Sequence, residues 1–236
     1  MAETKPPQRR MTIAIDGPAA AGKSSVARAV AERLGLAYID TGAMYRALTL
    51  KALERGIDPE DGPALTKLAA TCEIRFEPAG PDGPGQRVWL DGREVTREIR
   101  TRPVDLAVSA VSSHPGVREV FRDLQRRMAS REGAVMEGRD IGTVVLPHAD
   151  VKIYLDARFE ARVNRRFLEL KRKGYRPRKD EVRRDMAERD RADSTRAADP
   201  LTAAEDAVRV DTTDKTLAEV VEEVTRLCAA RGRDAR

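Results

Sequence analysis

Six residues, "MTIAID" at 11–16, form the first run rich in apolar positions and read as a buried strand. From Gly22 onward Val26, Val30 and Leu34 recur at helical spacing, and Gly35 is placed to stop the helix. "AYID" at 37–40 predicts a second strand, followed by a helix carrying Met44, Leu48 and Leu53. This β-α-β-α order opens a parallel α/β sheet. The pattern then changes: "CEIRFE" (72–77) and "QRVWLD" (86–91) alternate as strands do, and the turn-rich "PAGPDGPG" joins them. A small antiparallel insert is expected there, with "REVT" as a third strand. Helical periodicity returns after Arg102 with Val104, Val108 and Val111, then Val117, Val120, Phe121 and Leu124. Two strands, "AVMEG" and "VKIYLDA", precede a strongly basic segment. A last strand "AVRVD" (207–211) leads to a terminal helix whose Leu217, Val220, Val221, Val224 and Leu227 share one packing face.

Composition narrows the class. A chain of 236 residues suits one α/β domain with appended pieces. The first ten residues, with two prolines and no periodic pattern, are expected to be a disordered tail. No apolar run approaches the roughly 18 residues a membrane span needs, and "MAETKPPQRR" does not read as a signal peptide, so a cytoplasmic protein is expected. Cys72 and Cys228 show no metal or disulfide spacing and read as core thiols, and His114 and His148 stand alone. The net charge is +5, but residues 157–196 hold 15 Lys/Arg against 8 Asp/Glu, leaving 29 against 31 elsewhere. The basic excess is local.

The chemistry begins at "GPAAAGKSS". Gly17, Pro18, Ala19, Ala20, Ala21, Gly22, Lys23, Ser24 and Ser25 fit the Gly-x4-Gly-Lys-Ser phosphate loop between a strand and a helix. Its glycines let backbone N–H groups turn inward, Lys23 would reach the β- and γ-phosphates, and the Ser24 hydroxyl would bind magnesium. ATP or GTP is therefore expected. No Asn-Lys-x-Asp guanine signature and no second nucleotide unit is present, which favours a small-molecule kinase over a switch or a motor. An alcohol acceptor wants a carboxylate base, for which Asp40 is the early candidate, whereas an acceptor that is already a phosphate needs clamping. Arg46, Arg139 and the arginines between Arg158 and Arg196 supply clamps and favour a nucleoside monophosphate. A nucleic-acid module would interleave aromatics with the basic stripe, and only Phe159, Phe167 and Tyr175 are available, so no nucleic-acid partner is expected.

With these motifs in view, "DTGAMYR" (40–46), "EGRDIGTVV" (137–145) and "ERDRADSTRA" (188–197) make the chain resemble the bacterial cytidylate kinase family from about Thr12 to the terminal helix. The resemblance implies a P-loop nucleoside-monophosphate kinase fold: a five-stranded parallel core sheet with a small antiparallel β insert and a helical lid. On that basis 11–70, 100–156 and 197–236 form the core, 71–99 the monophosphate-binding insert and 157–196 the lid. It implies ATP with Mg2+ as cofactors and CMP and dCMP as substrates. The cytosine-reading groups fall on Ser109, Arg118 and Asp140; Asp140 can accept from the exocyclic amine of cytosine and would repel the carbonyl of uracil. Thr41, Arg189 and Asp193 match sugar contacts. Arg46, Arg139 and Arg196 match the acceptor-phosphate clamp. Lys23, Arg139, Arg189 and Arg196 are the expected catalytic groups, stabilising the transferred phosphoryl.

The chain also departs from the family pattern. Glu137 stands where an aspartate is expected, and is a candidate to hold magnesium through water. Ala192 and Ser194 occupy lid positions that are basic in some members. Elsewhere in the lid, Arg162, Arg165, Arg166 and Lys171 read as a solvated helix face, and Trp89 and Tyr154 as packing residues. A monomer is expected.

Overall fold

The computed structural model describes residues 11–78, 86–130 and 133–234. The expected tail at 1–10 and the insert loop at 79–85 lie outside the described residues.

Five strands form one parallel sheet in the order β2-β6-β1-β7-β8. They are β1 (Thr12–Asp16), β2 (Ala37–Asp40), β6 (Ala134–Gly138), β7 (Val151–Asp156) and β8 (Val208–Asp211). Both faces are covered, so the strands read as nearly continuous apolar runs. Ile13 and Ile15 of β1, Val135 of β6 and Val151, Ile153 and Leu155 of β7 pack under α1 (Lys23–Leu34) and α8 (Leu217–Asp234). Ala14, Ala134 and Met136 point the other way, against Ala129 of α5 (Pro115–Ser130). Gly35 ends α1 with φ +64°, its N–H bonding back to Ala31.

The expected hairpin is a separate antiparallel sheet of β3 (Ile74–Glu77), β4 (Arg87–Leu90) and a two-residue β5 (Arg93–Glu94) within the expected "REVT". Its buried side chains Ile74, Val88 and Leu90 share a second core with α2 (Thr41–Glu54), α3 (Gly62–Ala70), α4 (Arg102–Ser113) and α5. The nine-residue α3 is capped by Asp61, whose carboxylate accepts from the Ala64 N–H at 3.0 Å, and was not legible in the pattern. The basic segment folds into α6 (Phe159–Arg172) and α7 (Lys179–Thr195), which share a small core of Val163, Val182 and Met186 that reaches Ala19 and Ala20 of the phosphate loop. Cys228 is buried as expected, while Cys72 is only half-buried at the core's edge. Trp89 is half-buried under the guanidinium of Arg87, 5.0 Å from its ring centre, and Tyr154 under that of Arg209 at 5.1 Å.

Two consequences of the register matter for function. Chain order reverses about β1, where ligand crevices open in α/β sheets. At that carboxyl edge Asp16 is level with Gly138 and Tyr154, and Asp40 is level with Glu137.

Candidate active site

The phosphate loop leaves β1 through Gly17, whose φ is +148° and whose hypothetical Cβ would lie 2.0 Å from the Leu155 carbonyl oxygen. Only glycine fits there. Ala20 and Gly22 also take positive φ, at 59° and 97°, and α1 begins at Lys23. Lys23 is buried and its Nζ donates to the Pro18 carbonyl at 2.8 Å, closing the loop on itself. Its pKa falls from 10.5 to about 7, first because burial disfavours the ammonium and next because Arg139 and Arg189 repel it, with Glu137 and Asp193 opposing. Ser24 and Ser25 are exposed in the first turn of α1.

Beside the loop lies an edge of acids. Asp16 accepts the N–H groups of Ile141 at 2.8 Å and Gly142 at 2.7 Å, which pins the turn of π-helix at Ile141–Val145 directly after β6. Burial nevertheless raises its pKa to about 6. Glu137 accepts from the Tyr38 hydroxyl at 2.6 Å and lies beside Ser24, while the Glu137 carbonyl accepts from the Thr41 hydroxyl at 2.7 Å. Burial, then the charge on Asp40, pushes the Glu137 carboxyl up. Asp40 itself caps α2, accepting from the Ala43 N–H at 2.9 Å, and pairs with Arg100 at 3.2 Å. These two partners occupy the carboxylate that an alcohol kinase would need as its base.

Magnesium can be tested against this donor set. The Ser24 hydroxyl beside the Glu137 carboxylate offers hard oxygen ligands. Among the described residues no group of three or more His, Cys, Asp or Glu could hold a metal ion. Such a sparse set fits magnesium, which commonly takes one or two protein oxygens and completes its shell with phosphates and water.

Across the cleft the arginines converge. Arg139, carried by the turn after β6, donates through Nε to Asp193 of α7 at 2.7 Å. Arg196, at the end of α7, reaches Asp140 at 3.3 Å and Asp193 at 3.8 Å, and both its Nε and Nη2 bond the Asp199 carbonyl. Arg189 is repelled by the charges of Arg139 and Arg46, and its buried Nε has no hydrogen-bond partner among the described residues. Burial first, and those two neighbours next, lower its pKa to about 10. Arg196 is lowered by burial and then by Arg118. Arg46, on α2, bonds Asp105 at 2.5 Å and the Ile99 carbonyl at 3.3 Å.

Arg118, only 3% exposed, donates to Asp140 at 2.6 Å, to Asp199 at 2.8 Å and to the Ser112 carbonyl at 3.1 Å, with its guanidinium 5.6 Å from the centre of the Tyr45 ring. Asp140 is thus held from both sides, by Arg118 on one oxygen and Arg196 on the other. Ser109 lies one turn before Ser112 on α4, its carbonyl accepting from the Ser112 hydroxyl at 3.2 Å.

Three of the four residues expected on a solvated face do not lie on one. Arg162 is buried, and bonds the Ala19 carbonyl at 3.1 Å and Asp190 of α7 at 2.5 Å. Asp190 in turn accepts from the Ala19 N–H at 3.4 Å, so the α6-α7 arm grips the phosphate loop through both the N–H and the carbonyl of one residue. Arg165 bonds the hydroxyl and carbonyl of Thr212, and Arg166 bonds Asp105 and Glu169. Lys171 is exposed as expected. Helical periodicity marks a stripe but not what the stripe docks on. Asp16, Tyr38, Asp105, Asp190 and Asp199 also escaped the sequence reading. Only Asp16 carried a local signal, as the acid ending β1 directly before Gly17.

The chain is similar to known proteins along most of its length. The family model for cytidylate kinase matches residues 13–230. A cytidylate kinase of Pelotomaculum thermopropionicum is 51% identical over 221 residues, covering 93% of this chain and 96% of that protein. One from Symbiobacterium thermophilum is 49% identical, covering 93% and 96%.

Proposed function

Since this chain belongs to the cytidylate kinase family and is a nucleoside-monophosphate kinase, we propose that its cleft transfers the γ-phosphoryl group of ATP to CMP or dCMP, giving ADP and CDP or dCDP. One observation carries the reading: a buried cluster of cations that lacks enough anions. Lys23, Arg189 and Arg196 all have lowered pKa values, with burial as the first cause and neighbouring cations next. Two phosphate chains held in line would supply the missing negative charge.

The roles follow from position. The loop from Gly17 to Ser25 cradles the donor phosphates, and Lys23 leaves the Pro18 carbonyl for the β- and γ-phosphates. Ser24 and, through water, Glu137 would hold magnesium, which when bound neutralises charge on the donor phosphates. Tyr38 keeps the Glu137 carboxylate turned towards Ser24. Arg46, Arg139 and Arg196 clamp the acceptor phosphate, and Arg139, Arg189 and Arg196 stabilise charge on the group in flight. Thr41, Arg189 and Asp193 take the sugar. Ser109, Arg118 and Asp140 read the base: Asp140 accepts from the exocyclic amine, with Arg118 and Arg196 fixing its rotamer. The insert at 71–99 closes the acceptor side, and the arm at 157–196 acts as the lid that excludes water. No side-chain base is needed, because the attacking oxygen is already anionic.

An acceptor panel tests this. ADP formation from ATP and magnesium is measured with CMP, dCMP, UMP, AMP, GMP and shikimate. Strong turnover with CMP and dCMP, weak turnover with UMP and none elsewhere is expected. Turnover with shikimate, or with no monophosphate at all, would overturn the acceptor assignment.

A further inference from the structure

One carboxylate between the acceptor clamp and the arm is left without a task by the scheme above. Asp105 lies in the first turn of α4, where an acid is favourable to the helix. Its two oxygens go to different places: Oδ1 accepts from Arg46 of α2 at 2.5 Å, and Oδ2 accepts from Arg166 of α6 at 3.0 Å. None of the three is freely solvated, with side-chain exposures of 13% for Arg46, 21% for Asp105 and 22% for Arg166. An exposed ion pair would contribute little, but a partly buried bridge holding two guanidinium groups in fixed orientation does more.

The bridge uses only Nη1 of Arg46, together with the Ile99 carbonyl. Among the described residues the Nε and Nη2 of Arg46 make no hydrogen bond, so a fork remains for an arriving phosphate. Arg166 is held from its other side by Glu169 at 2.9 Å on its own helix, so Asp105 fixes α6 and not merely a loose side chain. We propose that Asp105 is a positioning residue that couples acceptor binding to docking of the arm: it presents the free fork of Arg46 to the acceptor phosphate while holding α6 through Arg166. This rests on the assignment of Arg46 to the acceptor clamp. A phosphate drawing on Arg46 polarises the same carboxylate that holds α6, and an arm docked by Arg166 in turn keeps Asp105 aligned on Arg46. Coupling of this kind is reciprocal.

Steady-state kinetics of Asp105→Asn, Arg166→Gln, their double variant and Arg46→Ala, with thermal melts of each, provide the test. Asp105→Asn is expected to raise KM for CMP by about fivefold, the lower end of site-to-site coupling, with KM for ATP within about twofold. Arg166→Gln should raise the same KM, and the double variant should be no worse than the more affected single one, because both remove one link. A purely structural Asp105 would lower the melting temperature and the amount of active enzyme without changing KM for CMP selectively. If Arg46→Ala raises KM for CMP and Asp105→Asn does not, the positioning role is overturned while the clamp stands. If Arg46→Ala leaves that KM unchanged, the clamp assignment itself fails. Multiplying single effects in the double variant would likewise overturn the coupling. Should Asp105→Asn not fold, Arg166→Gln alone still decides, since it leaves α4 intact.

Discussion

At the scale of the residue, the proposed chemistry rests on buried charge, and its signs can be checked. Asp140→Ala removes the proposed acceptor for the exocyclic amine and frees Arg118 and Arg196, so the preference for CMP over UMP should narrow by about 1 to 3 kcal/mol. An unchanged ratio of kcat/KM would take Asp140 out of base reading. Lys23 makes a second prediction. In the unfolded chain it keeps its proton up to 10.5, whereas in the folded one it releases it near 7. Its ammonium therefore costs stability below pH 7, and that cost fades as pH rises towards 10.5. Donor phosphates reverse the balance by favouring the charged form, so ATP binding near neutral pH should take up protons. Binding heats measured in two buffers of different ionisation enthalpy should differ accordingly. Equal heats would mean that Lys23 is already fully charged in the free enzyme.

At the scale of the element, the contacts that matter join pieces distant in sequence. The α6-α7 arm has a small core of three buried apolar side chains, Val163, Val182 and Met186, so its docking depends heavily on Arg162 and Asp190 gripping Ala19. Arg162→Ala should leave the sheet intact and loosen the arm. Loss of a charged hydrogen-bond pair of about 1.5 to 3 kcal/mol predicts amide exchange in α7 faster by roughly tenfold or more, with β1 and β6 unchanged. Unchanged exchange in α7 would show that apolar packing alone holds it. The same geometry explains why this arm misled the sequence reading. A Lys/Arg-rich helix has one pattern whether its charges meet water or the carbonyls of a neighbouring loop.

At the scale of the whole molecule, the basic surplus lies in residues 157–196, which bring Arg189 to Arg139 and Arg196 to Arg118, while the remaining sequence is close to neutral. Anions that fill the cleft should stabilise the fold. Tripolyphosphate at about a hundred times its dissociation constant should add ~2.7 kcal/mol, or roughly 5 to 10 °C in Tm for a chain of this size. A melting temperature unmoved by tripolyphosphate and by CMP would contradict an anion-deficient cleft. The sequence by itself determined the elements whose signal is local. These are the strands "MTIAID", "AYID", "AVMEG" and "VKIYLDA", the alternating insert strands, the glycines of the phosphate loop and the apolar face of α8, because period, turn chemistry and capping act over a few residues. The short α3 escaped because Leu65, Leu68 and Ala69 give barely two turns of pattern. Only the tertiary structure decided which charges meet. Arg46 and Asp105 are brought together from α2 and α4, Arg162 and Asp190 from α6 and α7, and Arg118 and Asp199 from α5 and the turn after α7. Ion pairs obey distance and burial, and neither is fixed along the chain until the sheet has set the register of its carboxyl edge and the helices have packed against it.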